Sequence, residues 1–267
     1  MTKFYCGCDV GSTYTKCVVL GEDKKIISSS IIRSKIDPVE SSKVAIAEAT
    51  KNISEVNGAE DFTYIVGTGY GRAEVASANC NVSEISCHAM GAHTVNSNIR
   101  TIIDIGGQDV KGISVDEVGS VKDFGMNDKC AAGTGRFFEL MARCFEMDLQ
   151  QFSDLSLKAK KIIHITSQCS VFAETEVISL LAQKKPAADI AAGIQLSVAK
   201  RCFVMAKSVG LKDSVTITGG CAKNEGLILA LEKVLKVKIA RLDIDPQLMG
   251  ALGAAVFAHQ KSHAKVM

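Results

Sequence analysis

The chain has 267 residues, enough for one large domain or two small ones. Hydrophobic residues make up 47% and charged residues 22%, a composition that buries a useful core without disulfide staples. The 31 basic and 29 acidic residues intermix to a formal net charge of +2, aromatics are 5% and Trp is absent; this argues against a nucleic-acid or membrane-surface binder. The opening, Met1-Thr2-Lys3-Phe4-Tyr5-Cys6, has none of the marks of a signal peptide, and no apolar run approaches the roughly 20 residues of a membrane span. A cytoplasmic protein is expected, its ten cysteines mostly thiols, with a raised prior for metal or redox chemistry.

In chain order, Phe4 to Val10 reads as a strand ending in Asp9-Val10-Gly11-Ser12-Thr13. Thr15 to Leu20 and Lys25 to Arg33 follow as strands around the polar turn Gly21-Glu22-Asp23. Pro38 to Val56 has helical spacing and an Asn57-Gly58 stop. Thr63 to Val66 is a short strand that enters Gly67-Thr68-Gly69-Tyr70-Gly71, and Glu84 to Val95 reads as a helix. The pattern then restarts, with strands over Thr101 to Ile105, Lys111 to Val115 and Val121 to Phe124. A long helical insert runs from Cys130 to about Val209. After it come a strand over Ser214 to Thr218, a helix over Asn224 to Leu235 and a Gly- and Ala-rich helix over Gln247 to His259.

Asp9-Val10-Gly11 aligns with Asp104-Ile105-Gly106, and Lys16 with Lys111, each lysine seven residues after its aspartate. This ordered self-similarity predicts a duplicated hairpin-plus-helices unit. The expected division is 1–98, completed by the C-terminal helix 247–267, and 99–246, two lobes with a cleft between them.

The strand-end turns suit a nucleotide. Gly11 lets backbone approach a ligand, and Ser12 and Thr13 add hydroxyls to the N–H groups that cradle a phosphate. Asp9 and Asp104 stand where they can hold Mg²⁺, directly or through water. Gly106, Gly107 and Gln108 offer a second phosphate turn. Thr218-Gly219-Gly220-Cys221-Ala222-Lys223-Asn224 is a third turn, against which an adenine can lie. The candidate nucleotide set is therefore Gly11, Ser12, Thr13, Lys16, Gly106, Gly107, Gln108, Gly219, Gly220, Ala222, Lys223, Asn224 and Gln247, with Asp9 and Asp104 as catalytic carboxylates. No Walker A pattern or dinucleotide fingerprint is present, and Gly67 to Gly71 reads as a plain turn.

Cys130 and Cys169 each stand where a helix is expected to begin, and a helix N-terminus favours a thiolate. Both are candidate ligands of an iron–sulfur cluster; two cysteines fill half of a four-cysteine set, and a two-fold homodimer supplies the rest. Cys6, Cys8, Cys17, Cys144, Cys202 and Cys221 lie in apolar patterns and read as buried thiols; Cys80 and Cys87 read either way. The histidines, His88 and His93 among them, make no ligand spacing, and Glu174 and Glu176 suit a helix N-terminus.

The ordered set of turns resembles the superfamily of acetate and sugar kinases, heat-shock chaperones and actin. Within it, Asp9 to Thr13, Val66 to Arg72, Ile85 to His88, Arg100 to Lys111, Met126 to Phe137, Ser167 to Ile178, Thr218 to Asn224 and Gln247 to Ala255 resemble the activators of 2-hydroxyacyl-CoA dehydratases. These are related to the ATPase subunits of benzoyl-CoA reductase. The run from Asn127 to Arg136 is the most diagnostic. The resemblance implies an α/β fold of duplicated RNase H-like (actin-like) lobes around an ATP cleft. It implies an oxygen-sensitive homodimer with one bridging 4Fe–4S cluster, ligated by Cys130 and Cys169 of each subunit. It also implies MgATP turnover to ADP, ferredoxin or flavodoxin as electron donor, and a 2-hydroxyacyl-CoA dehydratase as acceptor. A cluster-free small-molecule kinase and a non-redox ATP-switched regulatory or filament module are the alternatives.

Overall fold

The computed structural model describes residues 2–75, 77–167 and 169–264. In chain order the elements are β1 (Tyr5–Val10), β2 (Tyr14–Leu20), β3 (Ile26–Arg33), α1 (Pro38–Thr50), β4 (Tyr64–Thr68), β5 (Cys80–Asn81) and α2 (Glu84–Val95). They continue with β6 (Thr101–Ile105), β7 (Val110–Val115), β8 (Val121–Asn127), α3 (Gly135–Cys144), α4 (Leu149–Leu157), α5 (Ser170–Ala182) and α6 (Ala187–Ser208). The chain closes with β9 (Val215–Thr218), α7 (Glu225–Leu235), β10 (Ile239–Ala240) and α8 (Met249–Ala264). Two compact units result: Met1–Asn98, Val115–Lys122 and Leu242–Met267 form one, Ile99–Ser114 and Asp123–Arg241 the other.

Each unit is built on a five-stranded mixed sheet, and the two sheets have one topology. The orders are β3-β2-β1-β4-β5 and, reversed, β8-β7-β6-β9-β10. β1 pairs antiparallel with β2 and parallel with β4; β6 does the same with β7 and β9. Hairpin register sets Asp9 opposite Lys16 and Asp104 opposite Lys111, so the sequence repeat is a repeat of geometry. Parallel register sets Asp9 opposite Thr68 and Asp104 opposite Thr218.

The first unit stacks its sheet between α1 and the pair α2 and α8. Cys6, Cys8 and Cys17 face the α1 side with Ala45, Ile46 and Ala49. Cys6 Sγ lies 3.4 Å from Cys17 Sγ, one strand across. On the other side α8 lies against β1: a Cβ added to Gly7 would sit 2.1 Å from Ala251 O and 2.2 Å from Ala255 N. α2 and α8 touch as closely, for a Cβ on Gly253 would fall 1.9 Å from Cys87 O. The small residues of α8 are what allow this approach. In the second unit, buried Ile190, Ile194, Val198, Ala199 and Cys202 make α6 the central helix of the core. A Cβ on Gly112 would reach Met205 O at 2.4 Å, so α6 rests directly on β7.

Several elements differ from expectation. α1 stops at Thr50, whose hydroxyl turns back onto Ile46 O (3.0 Å) and Ala47 O (3.3 Å). Tight turns follow, with Ile53 N on Thr50 O at 2.8 Å and Val56 N on Ile53 O at 3.1 Å. They still deliver Ile53 and Val56 to the core, which is why the apolar spacing imitates a longer helix. The last helix begins two residues late because Asp245 caps a 3₁₀ turn over Pro246–Leu248, leaving Gln247 outside α8. α8 then continues past His259 to Ala264, and 265–267 lie outside the described residues. β8 extends to Asn127. Among the described residues no helix is long and apolar enough to cross a membrane.

Gly7→Ala and Gly253→Ala are expected to overpack these contacts and cost about 1–3 kcal/mol each. Thermal unfolding should show a Tm lowered by several degrees; an unchanged Tm would mean that α8 does not lie this close.

Candidate functional site

In the first unit β1 and β2 are joined by a tight turn closed by Gly11 N on Tyr14 O at 3.2 Å. Asp9, at 1% exposure, ends β1 and receives Lys16 Nζ on Oδ2 at 2.9 Å. Its Oδ1 is buried with no hydrogen-bond partner among the described residues, and so is Thr13 Oγ1. Glycines surround the carboxylate. A Cβ on Gly69, whose φ is +89°, would come 2.4 Å from Asp9 Oδ1. A Cβ on Gly250 would meet both Asp9 Oδ2 at 2.7 Å and His88 Nε2 at 2.9 Å. A buried carboxylate oxygen left open is costly unless a ligand completes it. A hard oxygen beside Lys16 and an exposed Ser12 fits a divalent cation carrying phosphate.

The second unit repeats the arrangement with more of it satisfied. Lys111, 1% exposed, bridges Asp109 Oδ2 at 2.7 Å and Asp104 Oδ2 at 3.3 Å. Thr218 Oγ1 donates to Asp104 Oδ1 at 2.7 Å. Gly106 and Gly107 form the turn, which is tied to the next helix. Gly135 N donates to Gly106 O at 2.9 Å and Arg136 N to Gly107 O at 3.0 Å. Gln108 is exposed at the tip.

Gly219 (φ +85°) follows Thr218, packed so that a Cβ would lie 2.3 Å from Ile105 O. Gly220, Ala222 and Lys223 form a 3₁₀ turn with exposed Gly220 and Lys223. Asn224 caps α7 through Leu227 N at 3.0 Å and receives Gln195 Nε2 at 3.0 Å, so its side chain holds the turn in place.

Asp9, Gly11, Ser12, Thr13, Lys16 and Gln247 thus belong to the first unit. Asp104, Gly106, Gly107, Gln108, Gly219, Gly220, Ala222, Lys223 and Asn224 belong to the second. Sequence reasoning missed Thr68-Gly69, the counterpart of Thr218-Gly219. Both glycines have positive φ and both threonines stand opposite the aspartate in the parallel strand register. It missed His88 as well, a residue read as incidental that is buried beside Asp9 and Gly250. The signal for the first was a Thr-Gly step after a short strand in each repeat.

Cys169 is the N-cap of α5, as expected, and is exposed. Cys130 is not at a helix start. α3 begins at Gly135, because Gly133 takes φ +105° and Thr134 folds back on Ala131 O through N (3.1 Å) and Oγ1 (2.7 Å). Cys130 lies half-buried in the loop ahead of that turn. The helix-dipole argument therefore holds for Cys169 alone.

Cys6, Cys8, Cys17, Cys87, Cys202 and Cys221 are buried. Burial pushes the Cys8 and Cys221 thiols up, and those of Cys87 and Cys202 up to about 12. The Cys6 contact, then burial, raises Cys17. Cys144, expected buried, is half-buried, with its thiol on Leu140 O at 3.4 Å and its pKa raised by burial and then by Glu174. A metal ligand must be a thiolate, so these positions suit packing. Cys169, exposed, and Cys130, half-buried against the core of the second unit, have the donor chemistry for a thiolate-bound cluster.

Two copies of one sheet, each ending its central hairpin in a buried aspartate paired with a lysine beside a Thr-Gly turn, define an ATPase of the duplicated actin-like fold. The chain belongs to the BadF/BadG/BcrA/BcrD ATPase family, whose pattern matches residues 6–258. It is similar to the crystal structure of (R)-2-hydroxyglutaryl-CoA dehydratase component A from Acidaminococcus fermentans: 43% identity, TM-score 0.91, 98% of this chain and 99% of that one. The ADPNP-bound activator of 2-hydroxyisocaproyl-CoA dehydratase from Clostridium difficile matches at 39% identity and TM-score 0.92, over 100% and 97%. The activator of lactoyl-CoA dehydratase from Anaerotignum propionicum is 43% identical over 97% of this chain and 98% of its own. A ROK family glucokinase from Streptomyces griseus shares the fold at 12% identity and TM-score 0.60.

Replacing Lys111 by Met leaves Asp104 and Asp109 facing each other without their shared cation, an expected loss of about 3–5 kcal/mol. Lys16→Met should cost less, since the Lys16 side chain is 14% exposed and water reaches it. Urea unfolding of the two variants checks the order; equal midpoints would refute it.

Proposed function

We propose that the chain is an ATP-hydrolysing activator that delivers one electron at low potential to a 2-hydroxyacyl-CoA dehydratase. Its homodimer is taken to hold one bridging 4Fe–4S cluster through Cys130 and Cys169 of each protomer, with ferredoxin or flavodoxin as donor and the cytoplasm as its compartment. That cluster, when bound, supplies the one-electron chemistry.

The observation that carries the reading lies within the second unit. The phosphate turn is hydrogen-bonded through Gly106 O and Gly107 O to the first residues of α3, directly after the Cys130 loop. A change at the phosphates is thereby transmitted to a candidate iron ligand through two backbone bonds.

The hairpin residues have separable tasks. Asp9, with Oδ1 open, is the position for Mg²⁺, directly or through water. Lys16 and Lys111 neutralise the strand-end carboxylates. Ser12, Thr13, Gly106, Gly107 and Gln108 present backbone and polar groups to phosphate. Gly219, Gly220, Ala222 and Lys223 offer backbone for the base to lie against, and Gln247 is a further nucleotide contact. Hydrolysis adds water at the γ-phosphate, yielding ADP and phosphate. It drives electron delivery only to the extent that the two nucleotides favour different conformations.

Cys130→Ala and Cys169→Ala should abolish cluster binding, whereas Cys6→Ala and Cys144→Ala should retain it. Iron per dimer after anaerobic reconstitution is the measurement, and full iron in either of the first two would sink the ligand assignment. Asp9→Asn should slow MgATP hydrolysis roughly 10- to 100-fold, and Asp104→Asn should slow it less, with iron content intact in both. Normal turnover in both variants would mean the phosphate turns are misassigned.

A further inference from the structure

Segment 158–167, which leads to Cys169, contains no helix or strand, yet it is anchored at three successive points. Lys160 N and Lys161 N donate to Asp189 Oδ1 at 2.9 and 3.1 Å, and Ile163 N donates to Asp189 O at 3.1 Å. Next, Gly193 admits the strap against α6; a Cβ there would stand 1.7 Å from Ile163 O. Last, just before Cys169, the Glu176 carboxylate takes the end of the strap. Oε1 accepts from Thr166 N at 2.9 Å and Thr166 Oγ1 at 3.0 Å; Oε2 accepts from Ser167 N at 2.9 Å and Thr166 N at 3.2 Å.

Glu176 was expected to favour a helix N-terminus; it lies instead two turns into α5, the helix that Cys169 caps. We infer that Glu176 is the positioning residue of Cys169: it clamps the incoming strap to the helix that Cys169 begins, fixing where the thiolate points. The inference rests on the proposed reading of Cys169 as an iron ligand. Two backbone amides and a hydroxyl converging on one carboxylate are charge-assisted bonds, stronger than neutral ones. Burial opposes ionisation of Glu176, but the bonds from Ser167 and Thr166 outweigh it and hold the carboxyl below its usual range. A ligand on irregular chain needs such a support, because cluster geometry tolerates only about 0.5 Å of wander. The clamp closes a short ring from Thr166 to Glu176 with Cys169 inside it. The first helical bond, Ala173 N to Cys169 O at 2.9 Å, fixes the other side of the same residue.

The test uses the full-length, anaerobically reconstituted dimer with ADP. Glu176→Gln keeps the shape but turns an NH₂ group toward amide donors; Glu176→Ala removes the clamp. Both should fold, as judged by circular dichroism. Both should lose hydrogen-exchange protection at Thr166 and Ser167, release iron faster to a ferrous chelator and alter the electron paramagnetic resonance spectrum of the reduced cluster. Loss of bonds to a charged acceptor predicts roughly tenfold faster iron release in Glu176→Ala, and less in Glu176→Gln. Wild-type iron release and spectrum in Glu176→Ala, with Thr166 and Ser167 deprotected, would overturn the clamp. So would undiminished protection of those amides. Full iron retained by Cys169→Ala is a different result, which overturns the ligand reading itself whatever the Glu176 variants do.

Discussion

A carboxylate buried at the end of a central strand is the constraint on which both units are built. Asp9 and Asp104 are each 1% exposed, and burying a carboxylate's charge alone costs several kcal/mol. The fold compensates through register. An antiparallel neighbour brings a lysine from seven residues on directly opposite in both units, and a parallel neighbour brings a threonine, whose hydroxyl bonds the aspartate in the second unit and has no hydrogen-bond partner among the described residues in the first. The tight turn between the antiparallel strands then forms where the aspartate ends. Glycines follow from the same constraint, since Gly69, Gly219 and Gly250 are packed so close to an aspartate that a Cβ would collide with it or its neighbours.

The two copies have diverged in how far the carboxylate is satisfied. Asp104 has both oxygens bonded, by Lys111 and Thr218, and Lys111 is shared with Asp109. Asp9 has Lys16 on one oxygen and, among the described residues, no partner on the other. A closed network rigidifies the strand end that bears it, while an open oxygen invites a ligand. Duplication followed by unequal completion accounts for one hairpin suited to a cation and another suited to holding a turn still against α3.

Much of this was legible in the chain. The Asp-x-Gly step with its lysine seven residues later is local, and hairpin register converts such a spacing directly into contact. The boundaries of α2 and β6 follow from Ser83 as a cap and from the apolar run, and both coincide with expectation. What was not legible depends on distant partners or on backbone conformation. Thr68-Gly69 acquires its meaning only from β4 lying parallel to β1, which no local spacing encodes. His88 looked incidental because its neighbours, Asp9 and Gly250, come from opposite ends of the chain. Cys130 precedes a helix in sequence, but the positive φ of Gly133 and the fold-back of Thr134 delay the helix start. The Pro38 helix was read too long because Ile53 and Val56 reach the core from turns.

The separation of Cys130 from any helix start changes how the two proposed iron ligands should behave. Cys169 is held by a helix cap, by the Glu176 bonds and by a strap laid on α6 at Asp189 and Gly193. Cys130 sits on a loop whose far end is bonded to the phosphate turn, while Gly133 rests within 3.2 Å of the Arg201 stem on the same α6, measured from an added Cβ. α6 is therefore a common base for both loops, and among the described residues the bonds to the phosphate turn come from the chain after Cys130. In the proposed activator Cys169 is tied to its own helix through Glu176, and the Cys130 loop is tied to the phosphate turn through Gly135 N and Arg136 N. A nucleotide that binds two states unequally can shift the Cys130 loop without unseating Cys169. With a shared base and one arm tied to the phosphate turn, a change at that turn acts on one proposed ligand relative to the other.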